Sequence, residues 1–164
     1  MTYSVNNTNN IEIERKFLVR DDSYKALATH HVRIRQGYLS LGANCSVRVR
    51  RWDDKGYITI KSRPEKGSFS RYEFEKEISA AEADELLLLA LPGQIDKLRW
   101  IVPIEDVIFE VDEFMGDNAG LVVAEVELQS EEQAFPHPAF ITKEVTNDSR
   151  YLNSQLSQHP YSTW

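Results

Sequence analysis

The sequence predicts a mainly β fold of the α+β class, a meander of antiparallel hairpins flanked by a few helices. Three observations carry this. Eight segments alternate β-branched or aromatic residues with polar ones at a period of two. Short clusters of turn-forming residues separate several of them. Only one long stretch carries both helix start and stop signals.

The strand-like segments fall at 11–19, 33–40, 46–52, 56–63, 69–78, 96–102, 107–114 and 121–128. In the first, Glu12, Glu14 and Lys16 share one face and Ile13, Arg15, Phe17 and Val19 the other, since alternate side chains of a strand point the same way. A short helix is expected at 22–29, followed by His30 and His31 in a solvated connection. The next polar faces read Arg33/Arg35, Arg48/Arg50, Thr59/Lys61 and Glu73/Glu75/Glu77, with hairpin turns at Asp53-Asp54-Lys55-Gly56 and Pro64-Glu65-Lys66-Gly67. The helix at 79–90 opens on the capping box Ser79-Ala80-Ala81-Glu82, stops at Pro92-Gly93, and offers its leucines to the sheet. Lys97/Arg99, Glu110/Asp112 and Glu125/Glu127 complete the polar faces, the last two separated by a turn at Gly116-Asp117-Asn118-Ala119-Gly120. Further helices are expected at 131–135 and at 148–157, the latter behind the cap signal Asn147-Asp148. Trp52 and Trp100 are expected to pack beneath helices, and Cys45 to act as a small filler.

At 164 residues with 41% hydrophobic content, the chain fits one domain over 11–164, preceded by a flexible polar lead-in at 1–10. A net charge of −7 repels nucleic acid and anionic membranes, so any anionic ligand needs a local basic site. The single cysteine cannot form an internal disulfide, and His30, His31, His137 and His159 are not at zinc-ligand spacing. Residues 1–10 lack the basic start and apolar core of a signal peptide, and the apolar run 86–91 is too short to span a bilayer. The expectation is a cytoplasmic protein with neither nucleic-acid nor membrane partners. A membrane barrel also alternates apolar and polar residues, but the amphipathic helices and the shortage of aromatic girdles argue against it.

Every strand has one apolar and one densely ionised side, and both signs of charge recur in pairs. A solvated sheet face is the ordinary explanation, yet such faces seldom alternate paired acids with paired bases. If the sheet closes with its ionised face inward, the lumen needs internal pairing or a charged ligand. A metal-bound polyphosphate satisfies both halves: Arg and Lys suit phosphate oxygens, and Asp and Glu supply the hard oxygens that Mg²⁺ or Mn²⁺ prefers.

These residues resemble a known family. Glu12-Ile13-Glu14-Arg15-Lys16 matches the E-x-E-x-K signature of the CYTH superfamily, the triphosphate tunnel metalloenzymes. Arg35-Gln36-Gly37-Tyr38-Leu39, Arg48-Val49-Arg50, Thr59-Ile60-Lys61, Glu73-Phe74-Glu75, Lys97-Leu98-Arg99, Phe109-Glu110-Val111-Asp112 and Glu125-Val126-Glu127 follow in the family's order. Glu144-Val145-Thr146 with Arg150-Tyr151 is similar to its C-terminal segment, so the resemblance runs from about residue 11 to 153.

The chain is most similar to the small single-domain bacterial members, whose activity is hydrolysis of inorganic triphosphate to pyrophosphate and phosphate. The resemblance implies a closed eight-stranded antiparallel barrel, a tunnel with an ionised interior. It implies that Glu12, Glu14, Glu125 and Glu127 hold Mg²⁺ or Mn²⁺, and that Lys16, Arg48, Arg50, Lys61, Lys97, Arg99 and Arg150 bind triphosphate. Glu73, Glu75, Glu110 and Asp112 become supporting carboxylates, and Lys16 and Tyr38 a catalytic pair, since an adjacent ammonium lowers a phenol's pKa. Arg15, Arg33, Arg51 and Glu77 stay outside this expected site. The alternatives are a CYTH activity on an organic triphosphate, adenylyl cyclase or thiamine triphosphatase, and a non-catalytic polyphosphate-binding module. The absence of extra aromatic insertions favours the inorganic substrate. The oligomeric state is open, with a homodimer among the options.

Overall fold

The computed structural model describes residues 13–62 and 72–164. The lead-in 1–10, Glu12, the turn at 64–67 and residues 69–71 of the expected fifth strand lie outside the described residues. The strands are β1 (Ile13–Val19), β2 (His30–Leu41), β3 (Cys45–Trp52), β4 (Lys55–Ser62), β5 (Glu73–Ser79), β6 (Ile95–Ile104), β7 (Val107–Phe114), β8 (Val122–Leu128) and β9 (Ile141–Glu144). The helices are α1 (Tyr24–Leu27), α2 (Ala80–Leu87) and α3 (Asn153–Leu156), with 3-10 turns at Gly116–Asn118, Ser149–Tyr151 and Tyr161–Thr163.

All the strands pair antiparallel in one sheet, ordered β5-β4-β3-β2-β6-β7-β8-β1-β9. The fold is mainly β with few helices, as the alternation predicts. The strand number is corrected from eight to nine. Residues Ile141–Glu144 join the outer edge of β1, where Arg15 grips Glu144 through two bonds of 2.6 Å. Among the described residues no ladder joins β5 to β9, so the order has two ends, not the closed ring that the resemblance implies.

The helices are shorter than expected. Residues 131–132 form a turn and 133–135 run on without regular structure, because Phe135 is drawn onto the core beside Phe17 and Phe109 and Pro136 follows it. The segment 148–157 breaks at Leu152, which is extended between the Ser149–Tyr151 turn and α3. His30 and His31 open β2 opposite Ile101 and Trp100, and do not merely lead into it.

One face of the sheet is apolar. Phe17, Val102, Phe109, Val111, Ala124 and Val126 form its main core with Tyr24 of α1 and the incoming Phe140 and Ile141. Trp100 packs edge-on to Tyr24, beneath α1 as expected. Farther along, Ala83 and Leu87 of α2 pack on Val49. Two glycines permit that approach: a Cβ on Gly37 would stand 2.7 Å from the Ala90 Cβ, and one on Gly56 would stand 2.6 Å from the Ala83 Cβ. Helix α2 starts as predicted, with Ser79 Oγ accepting from the Glu82 amide at 3.1 Å and Glu82 Oε2 accepting from the Ser79 amide at 2.8 Å. Ser79→Ala is expected to lower stability by about 1 kcal/mol, read as a lower urea midpoint at unchanged slope.

Helix α3 does something different. Leu18, Ile95, Phe114 and Val123 lie on the opposite, ionised face, each two residues along its strand from a charged position, and they cluster with Leu121 and Leu156. Leu156 of α3 therefore covers with hydrocarbon the end of the ionised face formed by β1, β6, β7 and β8.

Candidate active site

Cross-strand register shows which side chains share that face, because directly opposed residues point the same way. Glu14 and Lys16 lie opposite Glu127 and Glu125, and Glu125 lies opposite Glu110. Asp112 faces Arg99 across β7 and β6, and Lys97 faces Ile34 across β6 and β2. Tyr38 and Gln36 oppose Arg48 and Arg50; Thr59 links Arg48 to Glu75, and Lys61 opposes Glu73. Every expected site residue within the described strands thus sits on one face.

Two expected residues are not among those strand positions. Glu12 is outside the described residues. Arg150 lies on the exposed Ser149–Tyr151 turn, where it pairs with Asp148 at 2.6 Å and stacks 5.0 Å from the Trp164 ring centre.

The register also corrects β2. Arg33 and Arg35 were expected on the ionised face, but they oppose Leu98 and Arg51 on the other side. There Arg33 grips Asp96 at 3.0 and 2.6 Å, while Arg35 and Arg51 share Asp84 at 2.6 and 2.5 Å. Gln36, buried at 2% exposure, holds the inward place and is the lining residue that the sequence reading missed. Parity was the available signal, because a strand that turns Tyr38 inward must also turn Gln36 inward. Trp52 is corrected too: it lies beside Arg50 on this face, whose guanidinium stands 5.8 Å from the Trp52 ring centre and 5.7 Å from that of Tyr57.

The charges form two groups. In the first, Asp112, wholly buried, binds Lys97 at 2.5 Å and Arg99 through two bonds of 2.7 Å. Arg99 also reaches Glu110, and Glu125 at 3.4 Å. Lys16 bridges Glu125 and Glu14, both at 2.8 Å. Burial raises the Asp112 carboxyl, but Arg99 and Lys97 outweigh it and hold the group below the usual carboxylate range. Burial lowers the Lys16 ammonium, yet Glu125 and Glu14 reverse this and leave it above the ordinary lysine value. For Lys97 burial prevails over Asp112, and its pKa falls.

The second group is poorer in acceptors. Arg50 and Thr59 both donate to Glu75 Oε2, at 2.8 and 2.7 Å, and Lys61 pairs with Glu73 at 3.0 Å. Burial and then repulsion from Arg48 push Arg50 down. Three buried N–H groups here, Gln36 Nε2, Arg48 Nε and Arg50 Nε, have no hydrogen-bond partner among the described residues. Such a set of orphaned donors fits an acceptor-rich anion. The carboxylates fit a hard cation by chemistry. As placed, no three Asp, Glu, His or Cys of the described residues stand close enough to hold a metal ion, and Glu14 and Glu125 each give an oxygen to Lys16.

The model of the CYTH domain family matches residues 10–160. The chain belongs to the CYTH family. It is 47% identical over 154 residues to an inorganic triphosphatase of Acetivibrio thermocellus, covering 93% of this chain and 97% of that one. It is 35% identical over 150 residues to an inorganic triphosphatase of Nitrosomonas europaea, covering 89% and 96%. The crystal structure of an inorganic triphosphatase superposes with a TM-score of 0.68 at 34% identity, over 89% of this chain and 93% of that one. No helix among the described residues of this CYTH chain is long and apolar enough to cross a membrane.

Proposed function

We propose that this CYTH protein hydrolyses inorganic triphosphate to pyrophosphate and phosphate on the ionised face of its sheet, with Mg²⁺ or Mn²⁺ bound. The observation that carries this is the set of buried, unpartnered donors on Gln36, Arg48 and Arg50, on the same face as a separate group of carboxylates. The two relatives named inorganic triphosphatase, each matched over most of its length, support the choice of substrate.

In this reading the face is the inner wall of a tunnel formed by curling of the sheet, with no ladder between its edge strands β5 and β9 among the described residues. Burial supports it: Lys97, Asp112, Thr59 and Gln36 are at most 2% exposed, and charged residues on an open sheet face would be wetted. Arg48, Arg50, Lys61, Lys97 and Arg99 hold phosphate oxygens, with Arg150 assigned by resemblance alone. Glu12, Glu14, Glu125 and Glu127 hold the divalent cation, which when bound neutralises charge on the phosphoryl oxygens. Glu73, Glu75, Glu110 and Asp112 keep the basic side chains in place. Lys16 is protonated at neutral pH and serves as a cation, and Tyr38, opposite Arg48 on the same face, is assigned to the catalytic pair by resemblance alone. A substrate oxygen that takes Lys16 frees Glu14 and Glu125 from their ion pairs with it.

Trp52 and Tyr57 beside Arg50 favour the second reading, an organic triphosphate whose ring stacks there. Phosphate release from inorganic triphosphate, ATP and thiamine triphosphate, each with Mg²⁺, Mn²⁺ or chelator, separates the two. Inorganic triphosphate is expected to lead in kcat/KM by about tenfold or more, a gap of about 1.4 kcal/mol. Preferential turnover or cyclisation of ATP, or preference for thiamine triphosphate, overturns the proposal. Arg48→Ala is expected to raise KM by about tenfold or more, the loss of one charged hydrogen-bond donor. Arg33→Ala, on the opposite face, should leave KM unchanged; equal effects would contradict the assignment of faces.

A further inference from the structure

Gln36 lies on β2 between Arg50 of β3 and Ile95 of β6, in the middle of the cationic part of the ionised face. It is 2% exposed, and its Nε2 is buried without a partner among the described residues. An amide left unpaired in the interior destabilises the fold, whereas an apolar side chain of similar size would not. Retaining glutamine here is thus unfavourable for folding and calls for an acceptor from outside the chain. The Nε2–H is a donor, and the adjoining guanidinium groups of Arg48 and Arg50 would repel a cation, so the guest is an anion. The Nε groups of Arg48 and Arg50 on the adjoining strand are in the same condition, which makes three unpartnered donors on one part of the face. Charge explains why the third donor is neutral: burial and Arg48 already weigh against the Arg50 guanidinium, and another cation would add to that repulsion.

We infer that Gln36 is a substrate-binding residue whose carboxamide N–H donates to a phosphate oxygen between Arg48 and Arg50, fixing the anion's position without adding charge. This rests on the reading of the ionised face as the triphosphate site. A purely structural role would make Gln36 a spacer packed against Ile95, and the two roles differ in what its replacement does to stability and to affinity.

The test uses the full chain with Gln36→Met, which keeps the shape and removes the donor, and Gln36→Glu, which replaces it with an anion that can pair with Arg50. Arg48→Ala serves as the reference. Thermal midpoints are measured with and without inorganic triphosphate in the presence of chelator, and KM and kcat with Mg²⁺. For Gln36→Met the expected result is an unbound midpoint equal to or above that of the unsubstituted chain, a smaller shift with triphosphate, and KM raised about tenfold with kcat nearly unchanged. Gln36→Glu should lose more affinity than Gln36→Met, because the carboxylate repels the substrate. A lowered unbound midpoint with unchanged affinity and KM in Gln36→Met makes Gln36 a spacer and overturns the inference, as does a Gln36→Glu chain that binds normally. If Arg48→Ala weakens binding and neither Gln36 variant does, only the Gln36 assignment fails. If Arg48→Ala also binds as before, or the unsubstituted chain neither binds nor hydrolyses triphosphate, the reading of the face itself fails.

Discussion

Asp112→Asn is expected to lower folding stability by about 3–5 kcal/mol, the range for removing one partner of a buried ion pair. Asp112 is wholly buried, and it is the carboxylate shared by Lys97 and Arg99, themselves only 1% and 8% exposed. Asparagine keeps the shape but leaves two buried cations short of one negative charge. Against a total stability of about 5–15 kcal/mol for a domain, the loss reaches a third or more. Urea unfolding at neutral pH measures it, and an unchanged midpoint would refute the central role given to this carboxylate. Lys97→Met in the same chain should recover part of the loss, since it removes one of the stranded charges. The pH dependence has a definite sign. Because the folded pKa of Asp112 is depressed, its contribution is complete above the unfolded value of about 3.9. It is lost as pH falls from there through the depressed folded value. The unsubstituted chain should therefore lose stability on acidification below about pH 4 more steeply than Asp112→Asn does.

The largest effect on activity is expected from Glu125→Gln combined with Glu127→Gln. Turnover of triphosphate should fall by about 10³-fold or more, about 4 kcal/mol in the barrier, because two hard anionic oxygens are removed from the proposed cation site. Glutamine at 125 can still accept a hydrogen bond from Lys16, now 2.8 Å from the carboxylate, so the urea midpoint should move less than in Asp112→Asn. Direct titration with Mn²⁺ separates the possible causes of lost turnover. Weakened Mn²⁺ binding by a folded chain is expected, whereas undiminished turnover would sink the metal assignment.

Much of the ionised face was legible because its charges come in pairs at a period of two. Glu125/Glu127, Lys97/Arg99, Arg48/Arg50 and Glu73/Glu75 each declare a face without any knowledge of their neighbours. Strand β2 shows where that logic fails. Its odd positions hold Arg33 and Arg35 and its even positions Gln36 and Tyr38, so both faces offer polar groups and charge alone selects the wrong one. Only pairing with β3 and β6 decides it. The partners of Asp112 were hidden for a related reason, since ion pairs across strands depend on register and register is a property of two strands at once. Strand β9, four residues long, is too short to show a period, and its place beside β1 depends on the distant pair Arg15–Glu144. The helix boundaries were misjudged where a tertiary contact outweighed local propensity, as at Phe135.

The hydrocarbon cluster under α3 has a consequence for traffic. A phosphate anion sliding toward Leu156, Phe114 and Val123 would leave charged partners for a dry wall, where an unpaired ion is very unfavourable. Among the described residues, the α3 end of β1, β6, β7 and β8 is therefore the unfavourable end of the ionised face for an anion. Glu14 and Glu127 flank each other on adjacent strands at the other end of β1 and β8. Those two acids repel a bare polyanion and attract one escorted by a cation, so that end of the face favours the metal complex of a polyphosphate over the free anion.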